Sequence, residues 1–395
     1  MNIEIISVLA FLALIIILIY RDRKNIEFKQ GLIIKRSKKG KEVIYRLAKK
    51  YENPLRVLGT IGVIISIIAS FYGCYLLLNS TYRMIFGPEK IVESQIKFVL
   101  PTVKGVKLPG FILGVPFWFW IIGVFFVMFA HEPMHALLAR VEGVAIKSFG
   151  LLLFIIIPGA FVDPDERQLK KLPTMKKLRI YAAGSFGNFI LGTLLWLILL
   201  KVFTPAFYTT GVGFEYLNYT LFNRTEPFPA EQVGLNGTIL KVNDISVSNI
   251  DDFSHILEGK KPGEIVKIET TEGVYEIELT TNPDNESKGF IGIGVYDVSV
   301  LKEKYRNNKF KSGIITQTTE LLFWILFLNI GVGVFNLFPI KPLDGGLMFE
   351  EIVKHFFKDK KGEIIAKVVM IVTVFLVLFN IFGPSIIGLV KSFGV

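Results

Sequence analysis

Apolar residues along this chain come mostly in long blocks rather than in the one-face stripes of a water-soluble helix. Six blocks approach or exceed the roughly 18 residues that a helix needs to cross a hydrocarbon layer. They lie at about 3–20, 57–78, 115–139, 179–202, 316–338 and 364–384, and each predicts a membrane span. The region 141–162 is apolar but different. Its run Leu151-Leu152-Leu153-Phe154-Ile155-Ile156-Ile157 follows Gly150 and is closed by Pro158-Gly159. That is too short to cross as a helix and rich in β-formers, so it predicts strands or a re-entrant hairpin. Irregular backbone at membrane depth needs protein or a water-filled cavity around it. Short strands are also expected around Ile96 to Leu100.

The pattern changes again over about 205–300. Apolar and polar residues alternate in Thr238–Asn243, Glu264–Glu269 and Val274–Leu279, with turn signals at Asn243-Asp244, Lys261-Pro262-Gly263 and Glu272-Gly273. This predicts short strands of a small β-rich domain, with one helix over Asn249–Leu257.

Composition and charge then set the orientation. The 395 residues are 51% hydrophobic and 13% aromatic, which excludes a disordered chain and argues against a soluble enzyme. The net charge of +11 does not read as nucleic-acid binding, because much of the excess lies in Arg21–Arg56 beside two spans. Lys and Arg there follow the positive-inside rule. The basic segment is therefore expected in the cytoplasm, with the N-terminus and the regions 79–114 and 203–315 outside. Lysines 170, 171, 176 and 177 with Arg179, and lysines 354, 358, 360 and 361, fall in the two remaining inside loops. The first span lacks a basic leader and a cleavage site, so it is expected to be a retained helix. Cys74 is the single cysteine, which excludes an intrachain disulfide and a multi-cysteine zinc site. The N-x-S/T sequons at Asn79, Asn218, Asn223, Asn236 and Asn285 all lie on segments placed outside.

The candidate chemistry sits late in the third span. His131-Glu132-Pro133-Met134-His135 is an H-E-x-x-H motif, and it takes two of the four histidines. On a helix, positions i and i+4 share a face, so two imidazoles can grip one Zn²⁺ with Glu132 beside the open position as general base. A catalytic zinc needs a third protein ligand. The best candidate is Asp344 in Asn336-Leu337-Phe338-Pro339-Ile340-Lys341-Pro342-Leu343-Asp344-Gly345-Gly346, where prolines break the span and glycines permit a sharp turn. The competing reading makes Asp344 the N-cap of a following helix. Both pieces are expected near the cytoplasmic side of the bilayer.

Taken in order, H-E-x-x-H in one span, L-D-G at the end of a later span, and a β-domain between them resemble the site-2 proteases, which are intramembrane zinc metalloproteases. Ala183-Gly184-Ser185-Phe186-Gly187-Asn188 resembles that family's A-G-P-x-x-N pattern, with Ser185 in place of proline. Ala230–Val247, reading A-x-x-x-G-L-x-G-x-I-L-x-V-N-D-x-x-V, resembles the PDZ signature of membrane proteases, and that resemblance makes Gly211-Val212-Gly213-Phe214 the candidate for its peptide-binding loop. The resemblance covers roughly 115–345. It implies that His131, His135 and Asp344 ligate one zinc ion and that Glu132 is the catalytic base. Asn188 and Asn336 become candidates for holding the substrate backbone or the oxyanion. Val144 and Ile146 are candidates for receiving an unwound substrate segment as an added strand.

The expected fold is thus a polytopic α-helical membrane protein of about six spans, with a short membrane-associated β segment and an inserted PDZ-like domain. Its parts are 1–114, an N-terminal helical region; 115–204 and 301–346, the two halves of a catalytic core; 205–300, the PDZ-like domain outside; and 347–395, a cytoplasmic helix and last span. Expected partners are the lipid bilayer, a membrane-protein substrate with a transmembrane helix, and a peptide or C-terminus at the PDZ-like domain, with no nucleic acid. Rival readings are a membrane zinc protease with a glutamate third ligand, a non-catalytic scaffold, and a transporter with an intramembrane metal site. Pro133 between the two histidines could kink the helix and disturb the pair.

Overall fold

The computed structural model of the chain describes residues 3–392 apart from 30, 87–95, 104–105, 107, 155–156, 223, 284 and 358–359. Ile155, Ile156, Asn223 and Lys358 of the sequence reading lie outside the described residues. The chain forms two compact units: Met1–Asn79, Ser94–Leu197 and Glu320–Gly383 make one, and Ser80–Glu93, Ile198–Thr319 and Pro384–Val395 the other.

The chain opens with the apolar helix α1 (Ile3–Arg21). The basic segment that follows is not a loop. Its residues form the antiparallel strands β1 (Ile26–Lys29) and β2 (Leu32–Ser37) and the amphipathic helix α2 (Lys41–Lys50). Then come the long helix α3 (Glu52–Phe86), the parallel pair β3 (Phe98–Thr102) and β4 (Ile112–Pro116), and the helix α4 (Phe117–Val141). The apolar region after α4 is a hairpin of β5 (Ile146–Phe154) and β6 (Ile157–Pro164). β2 pairs with β5 along Leu32–Ser37, so the expected hairpin is half of a four-stranded sheet in the order β1-β2-β5-β6. The helix α5 (Glu166–Lys170), capped by the Asp165 carboxylate, leads into α6 (Thr174–Ile198), which continues through a π turn and a 3₁₀ turn to Ala206.

The second unit holds β7 (Phe207–Tyr216), α7 (Pro229–Gln232), β8 (Ile239–Val242), β9 (Ile245–Ser246), α8 (Ile250–Leu257), β10 (Ile265–Thr270), β11 (Val274–Glu278), β12 (Thr280–Asn282), β13 (Asn285–Phe290) and β14 (Ile293–Leu301). Its main sheet runs β11-β10-β8-β7-β14. The alternation read from the sequence appears as alternate burial: Val266 and Ile268 are buried while Ile265 and Lys267 are exposed. Asn243 and Asp244 both take positive φ, 49° and 62°, and turn β8 into β9. Asn249 caps α8 by accepting from the Asp252 amide at 2.8 Å. One expectation fails here. Gly211–Phe214 is no loop: it lies within β7, paired with Val295–Val298 of β14, and Val212 also pairs with Ile239 of β8. The glycines serve close packing instead; a Cβ on Gly213 would sit 2.3 Å from the Tyr296 ring.

The chain closes with α9 (Glu303–Arg306), α10 (Lys309–Phe335), α11 (Asp344–Phe356) and α12 (Lys360–Ser392). Among the described residues, five helices are long and apolar enough to cross a membrane: Glu52–Phe86, Phe117–Val141, Thr174–Ala206, Lys309–Phe335 and Lys360–Ile386. α1 adds a shorter apolar helix of 19 residues, about 28 Å long at 1.5 Å per residue. Phe71, Phe129 and Phe375 expose 74%, 63% and 65% of their surface. Large apolar groups facing outward on helices of this length suit lipid, not water. The chain is a multi-pass membrane protein.

Candidate metal centre

α4 runs unbroken through Pro133, so the feared kink does not separate the histidines. Their ring centroids lie 4.8 Å apart and their Nε2 atoms 3.2 Å apart. α6 crosses directly against this face because its facing residues are small. A Cβ on Gly184 would sit 2.2 Å from His135 Nε2 and 2.5 Å from His131 Nε2; one on Gly187 would sit 2.3 Å from the Ala130 carbonyl oxygen. Glycine at both positions is what lets the two backbones approach.

α6 also orients both rings. His135 Nδ1 lies 2.7 Å from the Ile180 carbonyl oxygen. A carbonyl can only accept, so Nδ1 carries the proton and Nε2 keeps its lone pair for a metal. The Asn188 amide lies 3.1 Å from His131 Nδ1, and Asn188 Oδ1 is buried without a hydrogen-bond partner. If His131 Nε2 holds a metal, its Nδ1–H must donate, and the orphaned amide oxygen is the acceptor it needs. A half-turn of the amide supplies that contact.

Asp344 arrives from the other half of the core. α10 ends at Phe335 and α11 begins at Asp344. The intervening loop is folded back tightly: the Gly345 amide donates to the Asn336 carbonyl at 2.8 Å. A Cβ on Gly345 would lie 2.0 Å from the Leu337 oxygen, and one on Gly346 would lie 2.5 Å from the Ile340 carbonyl carbon. The Lys341 ammonium pairs with the Glu350 carboxylate and braces the loop against α11. Burial pushes the Glu350 carboxyl up, but hydrogen bonds from Lys341 and Lys354 outweigh it and hold the group below its ordinary value. Asp344 does not cap α11: Leu343 is the N-cap residue and no side chain caps the helix. Its carboxylate turns to the histidines, with Oδ2 3.4 Å from His131 Nε2 and Oδ1 3.4 Å from His135 Nε2. The Ser185 hydroxyl donates to Oδ2 at 3.3 Å.

His131, His135 and Asp344 thus form a cluster able to hold a metal ion. Tetrahedral zinc with bonds of about 2.0–2.1 Å holds its ligand atoms about 3.3–3.4 Å apart. The two Nε2 atoms are 3.2 Å apart and each lies 3.4 Å from a different oxygen of Asp344, so the carboxylate straddles the imidazole pair at about the spacing zinc ligands take, and two nitrogens with a carboxylate are a donor set that zinc accepts. The Glu132 carboxylate lies against the Val162 amide of β6 and near both His135 and Asp344.

Three other expectations change. Val144 and Ile146 are fully buried, packed with Ala136, Leu138 and Ile180, and are core residues. β5 is paired on both sides over Phe149–Phe154, which leaves no edge for an added strand there; the outer strand of the sheet on this side is β6. Asn188 is fully buried and its amide meets His131, which makes it a holder of that ring rather than a substrate contact. Asn336 is half-buried and contributes its carbonyl to the Gly345 turn. Two further groups at the centre, the Ser185 hydroxyl and the Ile180 carbonyl, are functional contacts that the motifs do not announce. The first could have been found from a polar residue next to a glycine on the face meeting the histidines. The second carries no side-chain signal.

A multi-pass helical protein with a two-histidine, one-carboxylate centre beside a glutamate defines a membrane metallopeptidase. Residues 119–380, well over half of the chain, match Peptidase family M50, and the chain belongs to that family. It is a zinc metallopeptidase by that membership. It is 25% identical over 95% of its length to an uncharacterized protein of Methanocaldococcus jannaschii, covering 93% of that protein. It is 27% identical over 43% of its length to a membrane-bound transcription factor site-2 protease homolog of Arabidopsis thaliana, of which it spans 32%. Zinc metalloprotease RasP of Shouchella clausii is 29% identical over 48% of this chain and 53% of its own.

Proposed function

We propose that the chain hydrolyses peptide bonds in or beside the transmembrane helices of membrane-protein substrates, using one zinc ion held by His131, His135 and Asp344. The observation that carries this reading is the convergence of two Nε2 atoms 3.2 Å apart with a carboxylate whose oxygens each stand 3.4 Å from one of them, on helices built to lie in lipid. When bound, zinc polarises the scissile carbonyl and acidifies water. Glu132 takes a proton from the attacking water and delivers it to the leaving nitrogen. The C–O bond forms first, and the C–N bond breaks once the nitrogen has taken the proton, giving a carboxylate and an amine. Asn336, whose backbone carbonyl accepts from the Gly345 amide next to Asp344, would donate its side-chain amide to the developing oxyanion. Ser185, Asn188 and the Ile180 carbonyl hold the three ligand side chains in place.

A substrate helix hides its amides in its own hydrogen bonds, so cleavage needs an unwound segment. The edge of β6, which places the Val162 amide at Glu132, can take that segment as an added strand. The basic segments put this end of the core in the cytoplasm and the 205–300 domain outside. That domain acts as a PDZ-like module for an extended peptide or a C-terminus. Glu132→Gln tests the proposal: zinc content of the purified chain stays at wild-type level while cleavage of a transmembrane test substrate falls roughly 10²–10⁴-fold. Unchanged cleavage refutes it.

A further inference from the structure

Glu142 stands at the C-cap of α4 with its side chain wholly buried. That is an unfavourable place for an acid, because the last carbonyls of a helix already form its negative end. Three cations from two other helices compensate it. Arg179 Nη1 of α6 donates to Oε1 at 2.6 Å. Arg56 Nε of α3 stands 3.8 Å from Oε1, and Lys176 Nζ of α6 stands 3.7 Å from Oε2. Oε2 accepts no hydrogen bond. Arg179 Nε in turn donates to Thr60 Oγ1 of α3 at 3.0 Å. α3 lies close enough that a Cβ on Gly59 would be 2.5 Å from Leu138 of α4. One carboxylate therefore ties α3 and α6 to the end of the helix that carries the histidines.

A buried ion pair is weak evidence of stability, since apolar residues of equal volume often serve as well; its best-attested use is to fix register. Here the register has a chemical consequence. The residue after Arg179 is Ile180, whose carbonyl oxygen lies 2.7 Å from His135 Nδ1. Glu142 and His135 lie on α4 two turns apart, and Arg179 and Ile180 are neighbours on α6, so the two contacts close a short rigid circuit. A slip of α6 along α4 cannot occur without moving the acceptor that orients the His135 ring.

We infer that Glu142 is a positioning residue for the metal centre, acting through Arg179 and the Ile180 carbonyl on His135. The inference rests on the metal site proposed above, and its test separates the two. The full-length chain is loaded with Co²⁺ in place of zinc. A wild-type chain without the visible absorption of tetrahedral Co²⁺ sinks the metal-site reading itself. Where wild type shows that absorption, Glu142→Gln shifts the band, weakens Co²⁺ binding about 10–100-fold, and lowers kcat on a transmembrane test substrate with KM within about twofold. Glu142→Asp, which keeps the charge, recovers part of each loss. Arg179→Lys, which keeps the cation but loses the guanidinium fork, is read the same way if Glu142→Gln does not fold. Variants that lose thermal stability yet keep the wild-type band, metal affinity and kcat overturn the inference, because they make the cluster a fold clamp and nothing more.

Discussion

In the β-sheet unit, Val212, Ile239, Val242, Val266, Ile268 and Ile277 are wholly buried, and on β10 and β11 the polar neighbours Lys267, Glu276 and Glu278 face out. In the helical unit the wholly buried residues include Ser185, Asn188 and Asn329, while Phe71, Phe129 and Phe375 face out. The first unit is organised against water and the second against lipid. The difference shows where chemistry can be built. A sheet core of this kind has no place for a polar group without a partner. The helical core brings small and polar residues to the helix contacts, so that backbones approach and side chains such as Ser185 and Asn188 reach Asp344 and His131.

The largest effect that could break this contrast is at Asp344. Asp344→Ala is expected to empty the site and reduce turnover roughly a thousandfold or more, measured as zinc per chain and cleavage rate. A metallated, active variant would point to another third ligand. Gly184→Ala comes next. Its methyl group would collide with both histidine rings, so metal affinity should fall about a hundredfold while the β-sheet unit keeps its thermal transition. Ala160→Pro sharpens the picture of the sheet edge. Ala160 has the parity of Val162 on β6, so its amide points to the free edge and not to β5. KM for an unwinding-dependent substrate should rise about tenfold with zinc retained; unchanged kinetics would remove strand addition from the mechanism. Ile268→Ala tests the other unit. It should cost that domain about 2–5 kcal/mol by denaturant unfolding and leave zinc content unchanged. The smallest effect is at the Lys341–Glu350 brace. Glu350 titrates below its ordinary value when folded, so its contribution is present above the usual carboxylate range and is lost as pH falls through the lowered value. Lys341→Ala should reduce that acid-side slope in the thermal stability profile, with the remainder carried by Lys354.

Much of this was legible in the residues alone, for identifiable reasons. The spacing of His131 and His135 needs only the helical period, and the spans need only block length. The strands of the β-domain follow from alternation bounded by turn residues. Asp344 was legible because Pro339, Pro342, Gly345 and Gly346 announce a broken helix around a lone carboxylate. β1 and β2 were missed because Lys29, Lys35 and Arg36 made their segment look like a solvated loop, although Leu32-Ile33-Ile34 offered a short apolar run. The role of Asn188 was misplaced because sequence shows that an amide is near the site, not which way it points. Glu142 was invisible for a related reason. A glutamate two positions after Arg140, just past the end of a span, reads as a surface residue until its burial is known.

The central claim is that two imidazoles and one distant carboxylate hold a single zinc ion. Zinc K-edge X-ray absorption on the purified full-length chain, with metal counted per chain, tests it most directly. The account predicts about one zinc with only nitrogen and oxygen neighbours at about 2.0–2.1 Å, and loss of the ion in Asp344→Ala. Zinc bound at equal occupancy in Asp344→Ala and His135→Ala, or a wild-type chain that takes up none, would contradict it.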